Sequence, residues 1–317
     1  MSIKCKYISL HEIGKRANQE DSLYPALGQD IPDNDLFILC DGMGGHDCGE
    51  VASQTVCDAM SSYIKSNPSA DFESALNAAY DALDNADNSS LKKMGTTMTF
   101  VKFDENTCVV AHIGDSRVYH IRPSEKRVLY VTRDHSLVND LLACGELTPE
   151  EAKNSTRKNV ITRAMQPHQG KRTKADVAII SDIREGDYFY MCSDGMLEIS
   201  EDEDIVNVLS MEVSDEEKIE ILRGVTKDNS DNHTAHLIRI CSVEKARKSR
   251  KSMIIALFVA LLSVACFFWI RSVRSECESL RDFWMMFRDS TANQNDSLAA
   301  DDLSLSEETI IIDNADM

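Results

Sequence analysis

Short runs rich in β-branched and aromatic residues recur along the first 240 residues: DLFILCD (35–41), MTFVKF (98–103), TCVVAHI (107–113), RVYHI (117–121), RVLYVT (127–132), DYFYMC (187–192) and TAHLIRI (234–240). Runs of this length bounded by turn residues read as strands. Two amphipathic helices are predicted as well. The first starts near Asp47, which can cap it with Glu50 three residues on; Ala52, Val56, Ala59, Met60, Tyr63 and Ile64 keep helical spacing, and Asn67-Pro68 ends it. The second carries Phe72, Ala75, Leu76, Ala79, Tyr80, Leu83 and Ala86 on one face. Strands in hairpin-like succession with helices grouped elsewhere predict an α+β chain, antiparallel sheets covered by helices, rather than a βαβ fold.

The net charge of -19 excludes nucleic acid as a partner, and no long basic stripe appears in the first 240 residues. The same charge repels a phosphorylated ligand, so an acidic chain that handles phosphate needs bound cations or a local arginine. Ten cysteines lie far apart with no CxxC pair, and Cys40, Cys108, Cys192 and Cys241 sit inside apolar runs. They read as reduced, buried thiols of a cytosolic domain.

One segment stands apart. Met253 to Ile270 is uncharged for 18 residues. As a helix it would span roughly 27 Å, close to a hydrocarbon core of roughly 30 Å. The 15 residues before it carry six Lys or Arg and the 15 after it three. A single-pass transmembrane helix is expected, with the N-terminal side in the cytoplasm and the protein at the cytoplasmic membrane. The N-terminus MSIKCKYISL has no long apolar core and no small-residue cleavage site, so no signal peptide is expected. The expected organisation is a catalytic domain (1–242), a basic linker (243–252), the membrane helix (253–270) and an acidic, partly disordered extracytoplasmic tail (271–317).

The chemistry gathers at strand margins. Asp41-Gly42-Met43-Gly44-Gly45 follows LFILC, and Ser193-Asp194-Gly195 follows YFYMC. Ser230-Asp231-Asn232 precedes TAHLIRI, Gly114-Asp115-Ser116-Arg117 separates two runs, and Arg16 to Asp21 reads RANQED. One such aspartate is usually a loop residue. Several, all at the margins of apolar strands, suggest one acidic site where those strands converge. Oxygen ligands with few histidines favour Mg²⁺ or Mn²⁺ over zinc.

In this order the elements resemble the protein phosphatase 2C family, the metal-dependent protein phosphatases, in its bacterial form. The matching stretches are GKRANQEDS (14–22), LCDGMGGHDCGEVAS (39–53), GTT (95–97), VAHIGDSRVY (110–119), TRDHSLVNDLLACGELTPEEA (132–152), NVITRAM (159–165), GDYFYMCSDGMLE (186–198) and SDNHT (230–234). The resemblance covers about residues 1–242. It implies a four-layer α-β-β-α sandwich of two antiparallel sheets, with two Mn²⁺ or Mg²⁺ ions at one end. It implies that Asp41 bridges both ions, the Gly42 carbonyl binds one, and Asp194 and Asp231 bind the other. Glu20 and Asp21 would hold metal-bound water, Asp115 would serve a third ion, and Arg16 would grip the substrate phosphate. The implied activity is hydrolysis of phosphoserine and phosphothreonine on proteins by a metal-activated hydroxide. The implied partners are phosphoproteins, a cognate kinase and that kinase's substrates.

Some positions depart from the family pattern. Met43 stands where many eukaryotic members have a histidine that protonates the leaving alkoxide, which leaves the general acid unassigned; His46 is a candidate by position alone. Glu198 stands where aspartate is usual. His112, His135, His233 and His236 read as structural, and residues 133–170 correspond to the variable flap. A second reading is an inactive phosphoprotein-binding scaffold at the membrane. Such a module normally lacks a metal carboxylate, whereas Asp41, Asp194, Asp231 and Arg16 are all present.

Overall fold

The computed structural model describes residues 3–44, 48–87, 94–153, 155–157, 160–243 and 250–304. Two compact units emerge, Met1–Ala246 and Arg247–Met317. In chain order the first contains β1 (Ile3–Glu12), β2 (Asp21–Tyr24), β3 (Leu36–Met43), α1 (Cys48–Ser66), α2 (Phe72–Ala86), β4 (Gly95–Thr96), β5 (Met98–Phe103), β6 (Cys108–Ile113), β7 (Arg117–Arg122) and β8 (Arg127–Val131). There follow α3 (Leu137–Cys144), α4 (Pro149–Lys153), β9 (Asp176–Ile180), β10 (Tyr188–Cys192), α5 (Asp202–Leu209), α6 (Asp215–Thr226) and β11 (His233–Val243). The second unit holds α7 (Arg250–Ser304).

One sheet runs β1-β11-β10-β7-β8 and the other β2-β3-β5-β6-β9, with β4 on β3; every pairing is antiparallel. Central strands read as unbroken apolar runs because both of their faces are covered. On β3, Phe37 and Leu39 face the other sheet, where they join Phe189 and Met191 of β10 and Ile238 and Ile240 of β11. The alternate residues Leu36, Ile38 and Cys40 meet α1 and α2 through Val56, Met60, Ala79 and Leu83. Tyr188, Tyr190 and Cys192 likewise meet α5 and α6 through Ile205, Leu209, Ile219 and Leu222. Period-two alternation thus makes three apolar seams between four layers, the expected α-β-β-α sandwich.

Each predicted run forms a strand. Four strands were not expected: β1, β2, β4 and β9. β1 alternates half-buried and exposed positions only over residues 3–6 of IKCKYISLHE and is half-buried beyond, with Leu10 buried, a weak signal that pairing with β11 completes. The first helix begins at Cys48; Asp47, its expected cap, and His46 lie outside the described residues. So do Asn154, Lys158 and Asn159 of the flap's polar stretch.

The uncharged run 253–270 lies within α7. Among the described residues no helix is long and apolar enough to cross a membrane, so the expected transmembrane helix gains no support here. The side chains at 253–257 and 260 lie outside the described residues. Those of Phe258, Val259, Leu261, Leu262, Val264 and Phe267 to Ile270 are exposed.

Candidate metal centre

The site forms where strand ends of both sheets meet. Antiparallel pairing of β2 with β3 sets Asp21 opposite Asp41. The Asp41 backbone is held on both sides: its N–H donates to Thr97 Oγ1 at 3.0 Å, and its carbonyl accepts from the Thr97 N–H at 2.8 Å and Thr96 Oγ1 at 2.9 Å. The next residue, Gly42, donates its N–H to the Glu20 carbonyl at 3.0 Å. A Cβ there would lie 2.1 Å from the Gly49 carbonyl oxygen and 2.5 Å from that of Glu20, so only glycine fits.

From the other sheet, Asp194 opens a 3-10 turn (194–197) directly after β10, and Asp231 precedes β11. Ser193 ties the sheets together. Its hydroxyl donates to Asp21 Oδ2 at 2.8 Å and accepts the Thr234 N–H at 3.0 Å. Asp115 sits in the β6–β7 turn. Its neighbour Ser116 shares a 2.8 Å hydrogen bond with Thr97, the same residue that holds Asp41.

Asn232 is a residue whose part sequence reasoning missed. Its Nδ2 donates to the carbonyls of Ile13 at 2.9 Å and Asn18 at 3.0 Å, while its Oδ1 accepts the Glu20 N–H at 2.8 Å. One buried amide thus shapes the loop that carries Arg16 and Glu20. No spacing rule distinguishes such an asparagine from the many in ordinary turns.

Asp115, Asp134, Asp194, Glu198 and Asp231, with Arg117, Leu197 and Ile199, line a cavity of about 410 Å³. Burial, then repulsion from Asp21 and Asp194, pushes Asp41 well above the usual carboxylate range. Burial pushes Asp21 up to about 7 against hydrogen bonds from Thr234 and Ser193. Asp115 also rises to about 7, through burial first and then Asp194 and Asp134. Asp194 is raised by burial and by Asp231, against a hydrogen bond with Asp41. Among the described residues, Asp21 Oδ1 and Asp115 Oδ1 are buried without a hydrogen-bond partner. A crowded, oxygen-only donor set with orphaned carboxylate oxygens fits hard divalent cations, whose charge reverses the repulsion.

The structure therefore brings Asp21, Asp41, Asp115, Asp194 and Asp231 into one cluster, with Gly42 and Glu20 beside it. Arg16 joins it by a route the sequence did not suggest. Its Nη2 donates to Asp231 Oδ2 at 2.6 Å, and Asp231 and Glu20 hold its guanidinium further above its ordinary range. Both carboxylate oxygens of Glu198 accept from Ser230, one from its N–H at 2.7 Å and one from its hydroxyl. Glu198 thereby anchors the loop leading into Asp231.

His112, His135, His233 and His236 make structural contacts around this site. His135 Nδ1 accepts the Gly114 N–H at 3.1 Å, which leaves the proton on Nε2, 3.2 Å from Asp176. The His112 ring stacks on His135 at 4.4 Å. His112, His135 and Asp176 are close enough to hold a metal ion, with ligand atoms within 4.8 Å, but that hydrogen bond already accounts for the His135–Asp176 approach. His233 Nδ1 contacts the Asp231 carbonyl at 3.0 Å, and His236 Nδ1 contacts Ser9 Oγ at 2.8 Å inside the sandwich.

The family model for protein phosphatase 2C matches residues 11–239. The serine/threonine protein phosphatase PstP of Mycobacterium tuberculosis is 37% identical over 224 residues, which is 68% of this chain and 41% of that protein. This chain thus spans about two-fifths of that relative's length. The protein phosphatase PhpP of Streptococcus pneumoniae is 32% identical over 222 residues, covering 67% of this chain and 87% of that one. The crystal structure of M. tuberculosis PstP/Ppp superimposes with a TM-score of 0.66 at 31% identity, over 75% of this chain and 99% of that chain. A second structure, of the PstP catalytic domain in complex with two manganese ions, gives a TM-score of 0.64 at 31% identity, over 76% of this chain and 100% of that chain. With a family model spanning most of its length and relatives above 30% identity over two thirds of it, the chain belongs to the protein phosphatase 2C family.

Proposed function

We propose that this chain hydrolyses phosphoserine and phosphothreonine on proteins, using two Mn²⁺ or Mg²⁺ ions with a place for a third at Asp115. One observation carries the reading: five aspartates from five separate segments (Asp21, Asp41, Asp115, Asp194, Asp231) converge on a glycine backbone with an arginine beside them. The names of the two relatives and the manganese-bound structure support it. Ions held there would acidify water and offset the charge of a phosphoryl group. Asp41, Asp194 and Asp231 supply the anionic oxygens, with Asp21 and Glu20 at the margin and the Gly42 carbonyl between. Arg16 offers a planar fork to two phosphate oxygens, a geometry lysine lacks. Met43 has no proton to give, so the leaving alkoxide is not protonated from that position. The partners proposed are phosphoproteins, a cognate serine/threonine kinase and its substrates.

The test is turnover of a phosphothreonine peptide by the full chain. Activity should vanish in EDTA and return with Mn²⁺ or Mg²⁺; full turnover in chelator would overturn the two-metal reading.

Membrane attachment through residues 253–270, with the catalytic domain in the cytoplasm, belongs to the same proposal and rests on the sequence. It is supported by the uncharged run, the basic cluster before it, and the exposed apolar side chains of α7. Release of the full-length protein by alkaline carbonate wash would refute spanning. Protection of a tag at Met317 from external protease would refute the orientation.

A further inference from the structure

The cavity beside the aspartate cluster has an uneven wall. Most of it is acidic. Its one cation among the described residues, Arg117, is already committed: Nε and Nη2 each reach Asp134 at 2.7 Å, and Nη1 reaches Tyr119 Oη at 2.9 Å and Asp202 at 3.3 Å. The remaining lining is aliphatic, Leu197 and Ile199.

Ile199 is 60% exposed. A single exposed isoleucine is ordinary on a protein surface. This one differs in its position and in how firmly it is held. It stands four residues beyond Gly195 and five beyond Asp194, on a segment fixed from both sides. Met196 is buried in the seam between sheet and helices, Leu197 packs against that seam, and Ser200 is buried. Glu198, between them, is tied to Ser230. The aliphatic side chain is therefore presented at the mouth of the cavity by a rigid support.

We infer that Ile199, with Leu197, forms a subsite for an apolar side chain flanking the phosphorylated residue, so that apolar-flanked phosphosites are preferred and acidic-flanked ones rejected. The inference rests on the phosphatase reading of the adjacent cluster. An aliphatic flank buries Ile199 and gains contact area. An acidic flank meets Glu198 and Asp134 with no uncommitted cation among the described residues of the cavity lining, and like charges at such an interface are disfavoured.

The test compares kcat/KM of the full chain on three phosphothreonine peptides that differ only in residues next to the phosphothreonine: Leu, Ser or Glu. p-Nitrophenyl phosphate, which has no flanking residues, reports the metal centre separately. The Leu peptide should exceed the Ser peptide by about tenfold and the Glu peptide by more. Ile199→Ser should bring the Leu/Ser ratio near one, Ile199→Leu should keep it, and Ile199→Lys should shift preference toward the Glu peptide. Equal rates on all three peptides, or a preference unchanged in both Ile199→Ser and Ile199→Lys, would overturn the subsite. Loss of all turnover, p-nitrophenyl phosphate included, would instead remove the phosphatase reading and the subsite with it.

Discussion

At Gly42 a single hydrogen atom decides whether β3 can pass between Glu20 and Gly49. Both neighbours there are backbone and cannot swing aside. Gly42→Ala should therefore displace Asp41 and cost about 1–3 kcal/mol, the range for overpacking. Turnover should fall at least about 100-fold, since displacements on this scale have that effect on a reacting centre. Gly224, in α6, is the contrast: among the described residues no heavy atom beyond the helix's own backbone lies within 4 Å of a Cβ there, so Gly224→Ala should raise stability by roughly 0.5–1 kcal/mol with activity intact. Urea melts and metal-dependent rates of both variants check the pair. Arg16 belongs to the same scale. Arg16→Ala should raise KM by about tenfold or more, because a charge-assisted phosphate contact exists already in the bound substrate. A residue acting on the phosphate alone would leave metal binding nearly unchanged. The 2.6 Å contact with Asp231 predicts otherwise: removing the guanidinium frees that carboxylate, and metal affinity measured by calorimetry should shift. An unchanged KM would remove Arg16 from the phosphate.

At the scale of elements, a buried ionic cluster joins β7 to the residue that precedes β10, at the opposite ends of those strands from Asp115 and Asp194. Arg122 donates to both oxygens of Asp187 at 2.8 and 2.9 Å, His120 meets Asp187 Oδ2 at 2.9 Å, and the Arg184 N–H meets it at 2.9 Å. Burial acts to raise the Asp187 carboxyl, but Arg122 and His120 outweigh it and hold it down at about 2. A carboxyl depressed below its unfolded value of about 4 contributes stability that is complete above that value. The contribution is lost as pH falls through about 2. Asp187→Asn should cost about 1–3 kcal/mol at neutral pH, since Arg122 loses its buried partner but keeps Asp182. The gap between wild type and variant should narrow between pH 4 and pH 2, as read by urea unfolding. A pH-independent gap would mean that Asp187 contributes packing rather than charge. Elements also mark where the sequence was legible. Runs such as DLFILCD and DYFYMC were strands by composition alone, because central strands covered on both faces must be apolar throughout. β1 and β9 were not legible: β1 mixes polar and apolar residues until β11 supplies its partner, and β9 is a short run whose side chains stay exposed or half-buried even when paired with β6.

For the whole molecule, the acidic balance and the centre belong together. The net charge of -19 opposes a phosphate dianion, and bound divalent cations reverse that locally. Ions that bind only the folded unit Met1–Ala246 should also stabilise it, by about 2.7 kcal/mol at a hundredfold excess over Kd. A Tm that rises with Mn²⁺ and returns to baseline in EDTA is the expected result. A Tm indifferent to metal would contradict a centre built from that unit.

Sequence by itself determined which residue types lie at strand margins, that Asp41, Asp115, Asp194 and Asp231 form part of one acidic set, and the layered class of the fold. These are local properties: apolar periodicity and the chemistry of a carboxylate beside a turn. Tertiary structure decided the rest, because the remaining features depend on which distant segments meet. Asn232 shapes the Arg16 loop across more than 200 residues. Arg16 meets Asp231, Glu198 anchors Ser230, and Ile199 reaches the cavity mouth only because Met196 and Ser200 are buried on either side of it. A hydrogen bond between residues so far apart in the chain leaves no periodicity to read, and it exists only once strands distant in sequence have paired.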